Sequence, residues 1–242
     1  MNICELHRQG NQDCLLFFAG WGMCPEPFAV LPPGGVDVLL IYDYRCLDVE
    51  EMQKIASFLQ GLHKKRTYRR LHLLAWSMGV RAASRLFAEE VFSLSDLVAS
   101  AIAIGGTCQP IHDRLGIPEQ NFADMAEELS PARVEQFHRS MFADEQEATR
   151  FTGLFREGGR SFEELHQELL TLGAAAYTKS PDLADIYTDR IVTGRDRIFP
   201  ARNQIRAWGR KNCRTLSLPH FPFYHWQSWS AIIQELSSAC SS

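Results

Sequence analysis

Ser77, Asp196 and His220 are, in that order along the chain, the three side-chain types of a nucleophile, its orienting acid and its base. A serine hydroxyl attacks a carbonyl poorly until an imidazole accepts its proton. The imidazole in turn needs a carboxylate to fix its tautomer and stabilise the cation that develops. The three residues share one kind of position. Ser77 follows the apolar run Leu71–Trp76, Asp196 follows Ile191–Gly194, and His220 follows Cys213–Leu218. Each run has the length and character of a strand, so each residue stands just beyond a strand's carboxyl end, where alternating sheets bind ligands. Asp189 competes as the acid but precedes its strand. His225 competes as the base, lies farther from the strand end, and reads as a supporting or pocket histidine.

The stretch Leu71 to Leu86 changes character at Ser77, from an apolar strand run to small and helix-forming residues with Val80, Ala83 and Leu86 at helical spacing. A serine on such a turn forms a nucleophile elbow, G-x-S-x-G, in which small neighbours let strand and helix approach. Here Ala75 replaces the first glycine and Gly79 is retained. An acyl-transfer site must also stabilise an oxyanion. Gly20-Trp21-Gly22 ends the apolar run Cys14–Ala19, and the expected donors are the backbone N–H groups of Trp21 and of Met78, just after the serine.

The elements that must position these groups alternate. Apolar runs at Cys14–Ala19, Val36–Tyr42, Leu71–Trp76 and Leu97–Ile104 are separated by helical patterns, one of them carrying Met52, Ile55, Ala56 and Leu59 on a single face. From His112 to about Ser180 strand signals vanish, and helices are expected over Phe122–Leu129, Ser130–Met141, Glu145–Phe155 and Ser161–Leu172. The strand rhythm resumes at Asp185–Gly194, followed by a helix over Arg202–Trp208, the strand Cys213–Leu218 and a closing amphipathic helix. This pattern predicts an α/β fold: a mostly parallel central sheet flanked by helices. A core over 1–111 and 181–242 would carry an inserted helical cap over 112–180.

Composition narrows the function. With 45% hydrophobic and 22% charged residues in 242, the chain is an ordinary globule able to bury one core. A formal charge of -4 argues against a general nucleic-acid binder. The first ten residues lack a secretory leader, and no stretch reaches membrane-spanning length, so a cytoplasmic protein without a membrane partner is expected. Seven scattered cysteines fit reduced thiols, and no metal or other cofactor is expected. Isolated histidines such as His63, His138 and His166 read as helix-surface residues. The basic run Lys64-Lys65-Arg66-Thr67-Tyr68-Arg69-Arg70 reads as a solvated connection, with docking of an acidic partner as the sharper alternative.

Six segments together resemble the BioG family of biotin-pathway esterases. They are Phe18-Ala19-Gly20-Trp21-Gly22-Met23, Tyr42-Asp43-Tyr44, Ala75-Trp76-Ser77-Met78-Gly79-Val80, Ile104-Gly105-Gly106-Thr107, Gly194-Arg195-Asp196 and His220-Phe221-Pro222-Phe223. The likeness spans nearly the whole chain and is weakest in the cap. It implies an α/β-hydrolase fold and hydrolysis of the methyl ester of pimeloyl-acyl carrier protein. The wider superfamily would place a histidine before Gly20 and a glycine at Ala75, and both departures are similar to the BioG pattern. Trp76 and Phe223 are expected at the substrate. An acidic carrier would need cations, for which Arg133, Arg139, Arg150 and Arg156 are the candidates, with Arg114 and Arg160 also available. Arginine–glutamate pairing on a solvated helix is the competing reading. Two alternatives stay open: a thioesterase or small-ester hydrolase with the same triad, and a non-catalytic interaction module.

Overall fold

The computed structural model describes residues 1–64, 67–88, 98–177 and 186–238. Its strands are β1 (Asn2–His7), β2 (Asp13–Phe18), β3 (Asp37–Tyr42), β4 (Arg70–Trp76), β5 (Val98–Ile104), β6 (Asp189–Thr193) and β7 (Arg214–Leu216). They form one seven-stranded sheet in the order β1-β3-β2-β4-β5-β6-β7. β1 runs antiparallel to β3, and the remaining pairings are parallel. The runs Cys14–Phe18 and Leu71–Trp76 are buried throughout, as strands covered on both faces must be. Helices α1 (Glu26–Ala29), α2 (Val49–Lys64), α3 (Gly79–Ala88), α8 (Ala201–Trp208) and α9 (Trp229–Leu236) join them. On α2 the expected stripe Met52, Ile55, Ala56 and Leu59 is buried.

The register brings the carboxyl ends level. Ala75 on β4 pairs with Phe18 on β2 and with Ala103 on β5, Ile104 pairs with Ile191 on β6, and Thr193 pairs with Leu216 on β7. Successive connections run outward one way from β2 to β3 and the other way from β4 to β7. The crevice between β2 and β4 is therefore the switch point where such sheets bind ligands. Gly20-Trp21-Gly22 leaves β2 there and Ser77 leaves β4.

Between β5 and β6 lie α4 (Glu119–Glu127), α5 (Pro131–Ser140), α6 (Glu145–Glu157) and α7 (Phe162–Ala176). Their starts are set by side chains that occupy the first free N–H groups. Ser130 accepts from Arg133 N–H with Pro131 following, Asp144 accepts from Gln146 and Glu147, and Ser161 forms a reciprocal box with Glu164. α7 outruns its expected end at Leu172. Gly173 and Ala175 are buried, and a β-carbon at Gly173 would come within 2.9 Å of the Phe122 ring. Packing against α4 carries the helix past its glycine. β6 and β7 are shorter than expected. Lys65 and Arg66 of the basic run, and the expected junction at 180/181, lie outside the described residues.

His138 departs from the surface position expected of it. It is 2% exposed and packs on Phe155 and Phe151, with ring centroids 4.2 and 5.2 Å away. Its Nε2 has no hydrogen-bond partner among the described residues. His166 is half-buried beside Phe162. Among the described residues no helix is long and apolar enough to cross a membrane.

Burial pushes the His138 imidazole down to about 3. Its folded value lies below its unfolded one, so its contribution to stability is complete above about pH 6.5 and is lost as pH falls toward 3. Acid titration monitored by circular dichroism should show His138→Phe unfolding at lower pH than the parent. The difference should grow by up to about 1.4 kcal/mol per pH unit through that window.

Candidate active site

Ser77 leaves β4 with φ at 58°, a left-handed conformation that costs a residue with a β-carbon of order 1 kcal/mol or more. The surroundings hold it there. Ser77 N–H donates to Ile104 O at 3.2 Å, tying the turn to β5. Two glycines press against Ser77 and a third lets the turn close on the end of β2. A β-carbon at Gly20 would stand 2.9 Å from Ser77 Cβ, one at Gly106 would stand 2.3 Å from Ser77 O, and one at Gly79 would stand 2.3 Å from Ala19 O. Ala75, in the place of the absent first glycine, is fully buried within an unbroken ladder between Phe18 and Ala103. Its methyl group fits in the packed sheet.

The structure brings Ser77, His220 and Asp196 together across more than a hundred residues of chain. His220 Nε2 lies 3.1 Å from Ser77 Oγ, and its Nδ1 lies 2.8 Å from Asp196 Oδ2. Asp196 Oδ1 accepts the N–H groups of Ile198 and Phe199, both at 2.8 Å. Its Oδ2 also accepts from the Thr193 hydroxyl at 2.6 Å and the Gln204 amide at 3.2 Å. A carboxylate so surrounded only accepts, so the imidazole proton belongs on Nδ1 and Nε2 is left to accept from the serine. The imidazole is fixed on its other sides too. Phe199 stacks on it at 5.9 Å with an interplanar angle of 5°, and the Trp76 indole donates to His220 O at 2.7 Å. The competing residues lie elsewhere. Asp189 opens β6 and accepts from Thr188 and Ser238, while His225 is exposed against Trp226.

Beside the serine, the backbone N–H groups of Trp21 and Met78 have no acceptor among the described residues. Both residues line a cavity of about 240 Å³ with Ser77 at its wall. Phe122 and Met125 of α4, Phe137 of α5, Leu169 of α7 and Ile198 make it mostly apolar, with Arg133, Gln136 and Arg197 adding polar groups. Trp76 and Phe223, expected at the substrate, do not line this cavity. They lie behind the histidine in a buried cluster with Phe28 and Phe221, where Trp76 and Phe223 meet edge to face at 5.3 Å. Their bulk and Trp76's hydrogen bond support the histidine loop from below.

The arginines divide. Arg133 lines the cavity and reaches Glu128 at 3.6 Å and Gln136 at 3.0 Å. Arg139 pairs with Glu135 and Glu145, Arg156 pairs with Glu135, and Arg150 lies over the Tyr224 ring at 4.6 Å. The Arg160 side chain is buried and bonded to Glu168 and Asp43. Sequence reading passed over Thr193 and Gln204, which support Asp196, and Glu168. Thr193 ends a strand beside the acid, a weak signal; a glutamate or glutamine within a helix gives none.

A mostly parallel sheet with a strained serine at its central elbow and a histidine and an acid beyond later strands defines an α/β-hydrolase. The chain belongs to the BioG family, described as pimeloyl-ACP methyl esterase, whose model matches residues 1–232. The crystal structure of BioG from Haemophilus influenzae superposes with a TM-score of 0.75 at 29% identity, covering 96% of this chain and 99% of that one. An esterase from Exiguobacterium antarcticum shares the fold, at TM-score 0.62 and 14% identity over 88% of this chain and 85% of its own. A Bacteroides fragilis protein named malonyl-[acyl-carrier protein] O-methyltransferase is 34% identical over 206 residues, which are 85% of this chain. The chain spans 38% of that relative's length.

Gly79→Ala tests how tightly the elbow is packed. Its β-carbon would meet Ala19 O and Phe18 O, at 2.3 and 2.5 Å, which are backbone atoms that cannot swing aside. The variant should lose roughly 1–3 kcal/mol, read as a lowered melting temperature.

Proposed function

We propose that this hydrolase cleaves the methyl ester of a pimeloyl chain carried on acyl carrier protein, with Ser77 as nucleophile. One observation carries the serine chemistry: His220 bridges Ser77 Oγ at 3.1 Å and Asp196 Oδ2 at 2.8 Å. Ser77 Oγ attacks the ester carbonyl as its proton passes to His220 Nε2, and Asp196 stabilises the imidazolium. The Trp21 and Met78 N–H groups receive the negative charge on the carbonyl oxygen. The tetrahedral adduct collapses, and His220 returns the proton to the departing methoxide as methanol. Water, deprotonated by the same imidazole, then releases the carboxylate and restores the serine. No metal or cofactor takes part in this sequence.

The substrate assignment rests on the family's description and on the cavity. A wall of Phe122, Met125, Phe137 and Leu169 suits a methylene chain better than a polar acyl group. The helices between β5 and β6 act as the cap, supplying that wall. The Bacteroides fragilis relative is named for methylating a carrier-bound acyl group, and part of it resembles this chain. A methyl ester on a carrier-bound acid is the bond that such a pairing would make and remove. Of the carrier-docking candidates, Arg133 is favoured because it lines the cavity; Arg139 and Arg156 are paired with glutamates and Arg150 rests on Tyr224.

The test is incubation with the methyl ester of pimeloyl-acyl carrier protein, followed by mass spectrometry of the carrier. The expected product is the free distal carboxyl with the carrier linkage intact. Loss of the whole acyl chain would assign a thioesterase instead. Ser77→Ala should lower turnover by about 10³-fold or more without unfolding the protein, and retained activity would refute the serine mechanism. Arg133→Glu should raise KM for the carrier substrate at low salt by a larger factor than for a small uncharged methyl ester, and added salt should narrow the difference.

A further inference from the structure

The loop that carries Trp21 is held chiefly by α7 and by Arg160, two residues ahead of it. The Trp21 indole donates to Leu165 O at 2.9 Å. Gly22 N–H, in the next peptide, donates to Glu168 Oε2 at 3.1 Å, and Met23 O accepts from Arg160 Nη1 at 3.1 Å. The other Glu168 oxygen accepts the Tyr44 N–H at 2.9 Å, and the Tyr44 hydroxyl returns to Ala19 O at 2.8 Å. Consecutive residues 21–23 are thus each tied to α7 or to the turn that leads into it, and residue 19 is tied indirectly.

Glu168 is the hub. It is fully buried, and its charge is met by Arg160 at 2.7 Å, which also reaches Asp43 at 3.2 Å. Asp43 follows β3 with φ at 60°, and besides Ser77 it is the one non-glycine residue with positive φ among the described residues. Both left-handed residues thus stand at the carboxyl edge on either side of the same loop. A buried carboxylate with its own cation is costly to assemble and gives stability poorly. It does impose a fixed arrangement of donors.

We propose that Glu168 is a positioning residue for the oxyanion-binding loop, so that Trp21 N–H reaches its working place only when α7 is seated. Seating of the inserted helices and stabilisation of the transition state are then one event: an enzyme whose α7 is displaced binds acyl chains yet catalyses slowly. The proposal rests on the serine-esterase reading above and adds what aligns its oxyanion donor.

Glu168→Gln keeps the shape but gives one end of the side chain a donor. That end must face either Tyr44 N–H or the Gly22 and Arg160 donors, because these occupy opposite oxygens. On a small methyl ester, kcat should fall by about 10- to 100-fold, the range expected of a displaced catalytic group, with KM within about twofold. A trifluoromethyl ketone bearing an aliphatic chain forms an oxyanion adduct with the serine, and its affinity should weaken in proportion to kcat/KM. A matching aliphatic alcohol fills the cavity without forming an oxyanion, and its affinity should hold. Unchanged kcat, or equal weakening of ketone and alcohol, would overturn the proposal. Should Glu168→Gln fail to fold, Glu168→Asp, which keeps the charge but draws the carboxylate back from Gly22 and Tyr44, is read by the same ratio and decides the question. Turnover surviving Ser77→Ala would sink the esterase reading itself. Ser77-dependent turnover indifferent to residue 168 would sink this proposal alone.

Discussion

The left-handed backbone at Ser77 is the constraint on which the rest depends. Its φ of 58° lifts the hydroxyl above the sheet but would relax if the neighbours retreated. They are kept close by residues without side chains: Gly20 from β2, Gly79 at the start of α3 and Gly106 beyond β5. The parallel register explains why these glycines coincide, since it ends β2, β4 and β5 at one level. A serine under strain at the middle of the sheet therefore needs three separate turns to stay narrow.

A second demand is that His220 be correctly oriented on a long, irregular segment. Ordinary loop packing would leave an imidazole several rotamers. Here its ring is bonded at both nitrogens, stacked on Phe199, and its own carbonyl is bound by Trp76. Asp196 is fixed in turn by backbone N–H groups and by Thr193 and Gln204. The apolar cluster of Phe28, Trp76, Phe221 and Phe223 beneath the site keeps water from competing for these bonds.

The alternation of strands and helices was legible because periodicity is local: buried parallel strands are unbroken apolar runs, and α2 shows its stripe. The serine, acid and histidine were legible because each ends such a run. Trp76 and Phe223 fall in the cluster behind the histidine and outside the cavity wall, because neighbourhood in sequence does not tell the two faces of a loop apart. His138 and Glu168 escaped for a related reason. A histidine or glutamate in a helix of mixed composition looks like surface, and only the element packed against it reveals burial. What buries Glu168 is Gly22, Tyr44 and Arg160, of which the first two lie more than a hundred residues away. Helix ends shifted where long-range contact overrode local preference, as at Gly173 against Phe122.

The sheet's outer strands have a bearing on how the molecule behaves in a crowded solution. An open ladder edge invites a strand from another chain, and natural sheets avoid this by keeping edges short, charged or covered. β7 is three residues long, and its exposed Arg214 folds back to the Glu235 and Leu236 carbonyls at the end of α9. On the opposite side β1 is bulged between Glu5 and His7, with Glu5 and Arg8 paired in solvent. Neither flank offers a long, flat template, so a protein with a core this apolar gives neighbouring copies little purchase for strand-by-strand aggregation.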